Sequence, residues 1–226
     1  MILDALLLFG SRARGDHSAS SDIDLLAVTD NKKPTVSGSA DASLFHYSFD
    51  WLRDKASAGD LFVWHLVTEA IAIYDPADNL SALGQEFRFK DDYRKQITHA
   101  SDVGWLISLL GDEMSAKEAN RWLAWAVRTI SIAHAATIQK PAFSGSALAE
   151  VLGYSDIEVL VRQKDRKTFD DAARRLLKKF LGALGSGEPI HPPHSIDRFR
   201  SHFEATENEV GLTILNGRLL GPPYHS

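Results

Sequence analysis

The chain has no cysteine among its 226 residues. That excludes disulfides and thiolate-ligated metal centres, and it fits a reducing, cytoplasmic setting. Long apolar runs are also missing: no stretch approaches the ~18 residues of a membrane helix, so direct membrane insertion is not expected. The N-terminus opens in an apolar strand pattern with no basic leader or small-residue cleavage site, so no signal peptide is expected. Positive charge is in deficit. With 25 Lys and Arg against 30 Asp and Glu, the net charge of −5 argues against a general duplex-binding surface. It does not argue against a pocket whose bound cations supply the positive charge. Neither an internal repeat nor a low-complexity tract is present. What is present, 44% hydrophobic residues, suffices for one core or two small ones.

The most informative segment runs from Phe9 to Ala27, FGSRARGDHSASSDIDLLA. Ile2 to Phe9 is short and almost continuously apolar, the pattern of a buried strand. Gly10-Ser11 breaks it. Glycine lets the backbone approach a ligand, and free N–H groups with the Ser11 hydroxyl can hold phosphate oxygens. Arg12 to Ser21 must turn the chain, and Gly15, Asp16 and the serines suit turns. A second strand begins at Asp22-Ile23-Asp24. Alternation puts both aspartates on one face and buries Ile23 on the other. Two carboxylates so held can chelate Mg²⁺, and two such ions ~4 Å apart can activate an attacking oxygen and stabilise leaving pyrophosphate.

This joint pattern, Gly10-Ser11-x-Ala13-Arg14-Gly15-Asp16 followed by Ser21-Asp22-Ile23-Asp24-Leu25, resembles the DNA-polymerase-β-like nucleotidyltransferase superfamily, especially its minimal and kanamycin-type branches. Gly59 to Leu66 and Ile73-Tyr74-Asp75 are similar to that group too. The resemblance implies an α+β fold, a small mixed-sheet nucleotidyltransferase domain followed by a helical bundle. It implies metal binding by Asp22 and Asp24, with two Mg²⁺ ions or Mn²⁺ as substitute. It also places Gly10, Ser11, Arg12 and Ser21 at the nucleotide.

Such enzymes carry a third carboxylate on a neighbouring strand. The expected strand is Leu44 to Asp50, where alternation sets Phe45, Tyr47 and Phe49 on the core face and His46, Ser48 and Asp50 on the other. Register gives His46 the acidic position, and Asp50 lies ~13 Å further along. A neutral imidazole accepts a proton or binds a metal. An ordinary half-exposed strand histidine is the competing reading, and the third member stays open.

Three regions follow from the pattern: a nucleotidyltransferase domain at 1–88, a helical domain at 89–220 and an extended tail at 221–226. In the first, Asn31 to Asp41 reads as a polar loop, Trp51 to Ala58 and Leu61 to Thr68 as helices, and Ala70 to Tyr74 as a strand. In the second, helices are expected at Asp92–Leu110, Ala116–Ile138, Ser146–Leu152, Thr168–Leu184 and Ser195–Asn208. Ser115 with Glu118 makes a capping box for the longest of them. Arg121 and Arg128, two turns apart on one face, are candidates to reach a triphosphate, although an exposed helix flank explains them equally. Arg128 and His134, six apart, are poorly aligned for a ribonuclease pair. Between Arg162 and Lys179, eight Lys and Arg face three Asp, which suits a short nucleic acid or a solvated amphipathic helix.

The tail Gly221-Pro222-Pro223-Tyr224-His225-Ser226 reads as a stiff extended arm, ~3 Å per residue, presenting a phenol almost at its end. A nucleotidyltransferase needs an acceptor hydroxyl, and a tethered one arrives at high effective concentration. Tyr224 on this arm, with the fingerprint, resembles the Hailong anti-phage nucleotidyltransferases (HalB). That resemblance implies template-independent synthesis of oligo-deoxyadenylate from dATP, primed by Tyr224, whose single-stranded product regulates a membrane effector protein. The alternative is adenylyl transfer from ATP to an antibiotic or a partner toxin.

Overall fold

In the computed structural model, residues 2–17, 22–31, 34–38 and 42–217 are described. The chain divides into two compact units, the first ending at Lys90 and the second beginning at Asp91. Ser21 and the expected tail at 221–226, with Tyr224, lie outside the described residues.

The first unit is a mixed five-stranded sheet with helices, in the order β3-β4-β2-β1-β5. The strands are β1 (Leu3–Phe9), β2 (Ile23–Thr29), β3 (Thr35–Gly38), β4 (Ala42–Tyr47) and β5 (Ile71–Tyr74). β1 runs antiparallel to β2 and β5, β2 runs parallel to β4, and β4 is antiparallel to β3. One face carries Ala5, Leu7 and Phe9 of β1, Leu26 and Val28 of β2, and Phe45 and Tyr47 of β4, all buried. These pack with helices α2 (Phe49–Ser57) and α3 (Leu61–Glu69), whose Leu52, Ala56, Phe62, Val63 and Leu66 are buried too. The Phe9 ring meets Phe45 and Phe62 edge-on at 5.5 and 5.6 Å, pairs worth about 0.5–1.5 kcal/mol each beyond burial.

Two side chains decide where these helices start. The Ser48 hydroxyl accepts from the Trp51 N–H, which ends β4 at Tyr47 and begins α2. The buried Asp60 carboxylate accepts from Phe62 and Val63 N–H at the start of α3. Burial raises the Asp60 pKa, against the pull of Lys55 and those two hydrogen bonds. The expected strand Leu44–Asp50 is therefore too long by three residues. Asp50 sits in the first turn of α2, exposed and paired with Arg53 at 3.0 Å.

Three further elements depart from the sequence reading. Gly10–Arg14 is a short helix, α1, where only a turn was expected. Part of the expected polar loop Asn31–Asp41 is the edge strand β3, exposed throughout and lacking any apolar alternation. Asn79–Glu86 forms α4, whose first N–H groups, Asn79 and Leu80, donate to the Asp75 carboxylate.

The second unit is helical: α5 (Arg94–Leu110), α6 (Ala116–Thr137), α7 (Gly145–Leu152), α8 (Asp156–Val161), α9 (Asp171–Leu184), α10 (Ile196–Ala205) and α11 (Glu209–Leu215). The Ser115–Glu118 capping box opens α6, with the two partners at 3.3 and 3.2 Å. Trp122, Leu123, Leu106, Leu177, Phe180, Phe199 and Phe203 form its core, each fully buried. Buried Asp102 bonds His202 at 2.9 Å, and Asn208 donates to the His99 carbonyl, which ties α10 and the start of α11 to α5. Among the described residues no helix is long and apolar enough to cross a membrane.

Candidate active site

A close approach within the first unit lies at the junction of β1, α1 and β2. Antiparallel pairing sets Phe9 opposite Asp24, so the first residue of α1, Gly10, lands beside the aspartate. Gly10 has φ +75°, and a Cβ built there would stand 2.5 Å from the Asp24 Oδ2. The carboxylate thus fills the space a side chain at residue 10 would need. Asp24 is half-buried, and Asp22, exposed, immediately precedes the strand. At the other side of the turn, the Arg12 Nε donates to the Asp22 carbonyl at 3.3 Å, tying α1 to the start of β2. Gly15 ends α1 with φ 79°, its N–H returning to the Ser11 carbonyl.

The face assignment differs from expectation in one respect. Asp24 shares its face with Leu26 and Val28, which is the helix-covered core face, while Ile23 lies half-buried on the other. Asp24 therefore occupies the end of the core face.

The structure brings Gly10, Ser11, Arg12, Asp22 and Asp24 to one junction. It does not bring His46 or Asp50 there. β2 and β4 pair in register as Asp24 with Ser43 and Ala27 with His46. Three residues separate His46 from Ser43, an odd number, so its side chain leaves the opposite face from Asp24. There the His46 Nε2 lies 3.1 Å from the Ser37 hydroxyl of β3. Its Nδ1 is buried without a hydrogen-bond partner among the described residues. Asp50, beyond the far end of β4, is further still from the aspartates, more than ~13 Å along the strand from Ser43. Arg128 belongs to the second unit and donates to the Phe143 carbonyl at 3.3 Å. His134 bonds the Leu184 carbonyl instead, so the two do not converge. Asp41, which stands just before Ala42 in the sequence, lies outside the described residues. Ala42, the residue after it, pairs with Ile23, the residue between the two aspartates.

A second group of charges sits behind the turn and was not expected. The Arg14 NH1 donates to the Glu69 Oε2 at 2.8 Å, and its Nε lies 3.1 and 3.2 Å from the two Asp16 oxygens. The His65 Nε2 lies 2.8 Å from the same Glu69 oxygen. Burial works to lower the Arg14 pKa, yet the hydrogen bonds and charges of Glu69 and Asp16 hold it above the usual value.

Residues 2–79 match the family model for polymerase beta, nucleotidyltransferase. This segment is a polymerase-β-like nucleotidyltransferase domain. Nucleotidyl transfer is the activity such a domain implies, and a nucleotide is its substrate. No curated protein matches the chain. The matched segment contains every strand of the sheet and the Gly10–Asp24 junction. Domains of this superfamily generally use divalent cations. Among the described residues no group of three or more His, Cys, Asp or Glu is placed to hold a metal. The pair Asp22 and Asp24 nonetheless suits a hard ion such as Mg²⁺. All its donors are oxygen, and Mg²⁺ ordinarily takes one or two carboxylates, completing its shell with water and substrate phosphate.

Proposed function

We propose that the protein is a Mg²⁺-dependent nucleotidyltransferase that builds a short single-stranded oligonucleotide from dATP, starting on its own Tyr224. The observation that carries the nucleotidyl-transfer part is the contact between Gly10 and Asp24. That close approach supports reading Gly10-Ser11 as a phosphate-binding turn set beside a metal-binding Asp24.

In this reading Gly10, Ser11, Arg12 and Ser21 bind the triphosphate of the donor nucleotide. Asp22 and Asp24 would hold the divalent cations, Asp24 from within β2 and Asp22 from the residue just before it. When bound, such ions activate the attacking oxygen and neutralise the charge of the leaving pyrophosphate. The chain contributes mostly position: phosphoryl transfer leaves little covalent work to side chains. The Tyr224 phenol oxygen forms a bond to the α-phosphorus as the bond to pyrophosphate breaks, and the phenol proton is released. Free tyrosine ionises near pH 10, so this step needs an activated phenol. Each later cycle uses the 3′-hydroxyl of the growing chain. Sequence supports Tyr224 as acceptor: Pro222-Pro223 directly precedes it, a composition that favours an extended arm. The product, an anti-phage signal in this reading, acts on a membrane effector protein.

Incubation of the full chain with labelled dATP and Mg²⁺ tests the proposal. Label should appear on the protein, in nucleotide-monophosphate increments on the last tryptic peptide, and in oligomers. Asp24→Asn should abolish both. Tyr224→Phe should abolish initiation and spare extension of a supplied oligonucleotide. Absence of both protein label and oligomers from the wild type would overturn the oligomer reading. Pyrophosphate release only when an antibiotic or partner protein is added would assign the domain to adenylyl transfer instead.

A further inference from the structure

We infer that Arg14 is a positioning residue for nucleotide binding: clamped by Glu69, His65 and Asp16, it locks the Gly10–Arg14 helix against α3 and fixes where Ser11 points. The inference rests on the assignment of Gly10 and Ser11 to the triphosphate and adds the device that holds them.

α1 cannot hold itself in place. It has five residues and no side-chain cap at its N-terminus. A helix this short is unstable alone, because nucleation costs more than a single turn of hydrogen bonds returns. Its order comes from attachment at both ends. At the N-terminal end, Gly10 is buried against Asp24. At the C-terminal end, the attachment is Arg14.

The Arg14 attachment is built for rigidity. Its side chain is only 17% exposed, and Glu69 and His65 are 15% and 4% exposed, so water screens the contact weakly. The guanidinium engages two carboxylates from two directions, Glu69 through NH1 and Asp16 through Nε, which fixes its plane. Glu69 is itself held from behind by His65, one helical turn earlier on α3. The base of α3 does not move easily, since Phe62, Val63 and Leu66 are core residues. The His65 ring also packs edge-on against Phe9 at 5.9 Å, the residue directly before Gly10. One cluster therefore touches α1 at its end and the strand that launches it. Ser11 is three residues from Arg14, about one helical turn, so a loosened Arg14 displaces the hydroxyl and N–H groups that face phosphate.

A merely structural ion pair would change melting temperature and nothing else. A positioning role moves nucleotide affinity and KM while turnover at saturation stays close to wild type. The test measures binding of a non-hydrolysable dATP analogue in Mg²⁺ by calorimetry, alongside KM, kcat and melting temperature. The chains are wild type, Arg14→Ala, Arg14→Lys, Glu69→Gln and the control Arg53→Ala, which breaks the exposed pair with Asp50. Expected are a weakening of analogue binding by about tenfold or more for Arg14→Ala, partial rescue in Arg14→Lys, an intermediate loss for Glu69→Gln, and none for Arg53→Ala. Should Arg14→Ala fail to fold, Glu69→Gln, which keeps shape and one hydrogen bond, carries the test. Wild-type affinity in both Arg14→Ala and Glu69→Gln, or a loss of melting temperature alone, would overturn the inference and leave the nucleotidyltransferase reading standing. A wild-type chain that binds no analogue would overturn both this inference and the dATP reading on which it rests.

Discussion

Substituting alanine at Gly10 separates two costs that are usually mixed. The first is backbone strain: φ +75° is a left-handed conformation, and a Cβ there costs about 1–2 kcal/mol. The second is displacement. The new Cβ would stand 2.5 Å from Asp24 Oδ2, whereas ordinary contacts begin at 3.4 Å, so the carboxylate or α1 must retreat by close to 1 Å. Misplacement of a reacting group by ~1 Å costs on the order of 10²-fold in rate. Gly15 supplies the control, with a similar φ of +79° and nothing within 4 Å of a built Cβ. Both Gly10→Ala and Gly15→Ala should lower the melting temperature by a few degrees, since ~1 kcal/mol moves a chain of this size by about 2–4 °C. Only Gly10→Ala should also lose roughly 10²-fold in pyrophosphate release at saturating nucleotide. Scanning calorimetry and a coupled pyrophosphate assay read the two effects. Equal activity losses in the two variants, or full activity in Gly10→Ala, would refute the assignment of Asp24 and its contact to catalysis.

Two further outcomes follow from named groups. His46→Ala should retain nucleotidyl transfer, because its ring leaves the sheet on the face opposite Asp24. Loss of pyrophosphate release by orders of magnitude in His46→Ala would restore it as the third member. Burial, chiefly, lowers the His99 pKa below its ordinary 6.5. The unfolded chain then binds the proton more readily, so this stabilisation is complete above pH 6.5 and fades as pH falls through the window beneath it. His99→Gln should flatten that fall in urea-denaturation midpoints between pH 7.5 and 5, about two and a half units apart. An unchanged pH slope in the variant would show that other groups carry it.

The two-aspartate junction was legible because strand, Gly-Ser break and Asp-x-Asp are local signals with a spacing that topology preserves. The face on which it sits was not. Which side of β2 is covered depends on where α2 and α3 pack, and Leu26 and Val28 follow the aspartates in parity. His46 leaves from the non-core face, as alternation predicted, but Asp24 does not share that face; Asp50 was misplaced for a different reason. Alternation was carried through Ser48, whose hydroxyl in fact starts a helix, so a period of two was extended where 3.6 applies. The Arg14 cluster was invisible because its partners lie 51 and 55 residues away. α8 and α11, of 6 and 7 residues, are too short to establish a helical period of their own. The long helices α5 and α6 were readable from spacing, and the Ser115 cap from composition alone.

The occupied state of Arg14 bears on how a polyanion enters. Its guanidinium is already neutralised by Glu69 and Asp16, so of the charges named at the junction, four carboxylates (Asp16, Asp22, Asp24, Glu69) outnumber two guanidinium groups (Arg12, Arg14). A bare triphosphate approaching that surface meets net repulsion. Counter-ions must therefore travel in with the nucleotide or precede it, and a chelator in the buffer acts against entry itself as well as against the chemistry that follows.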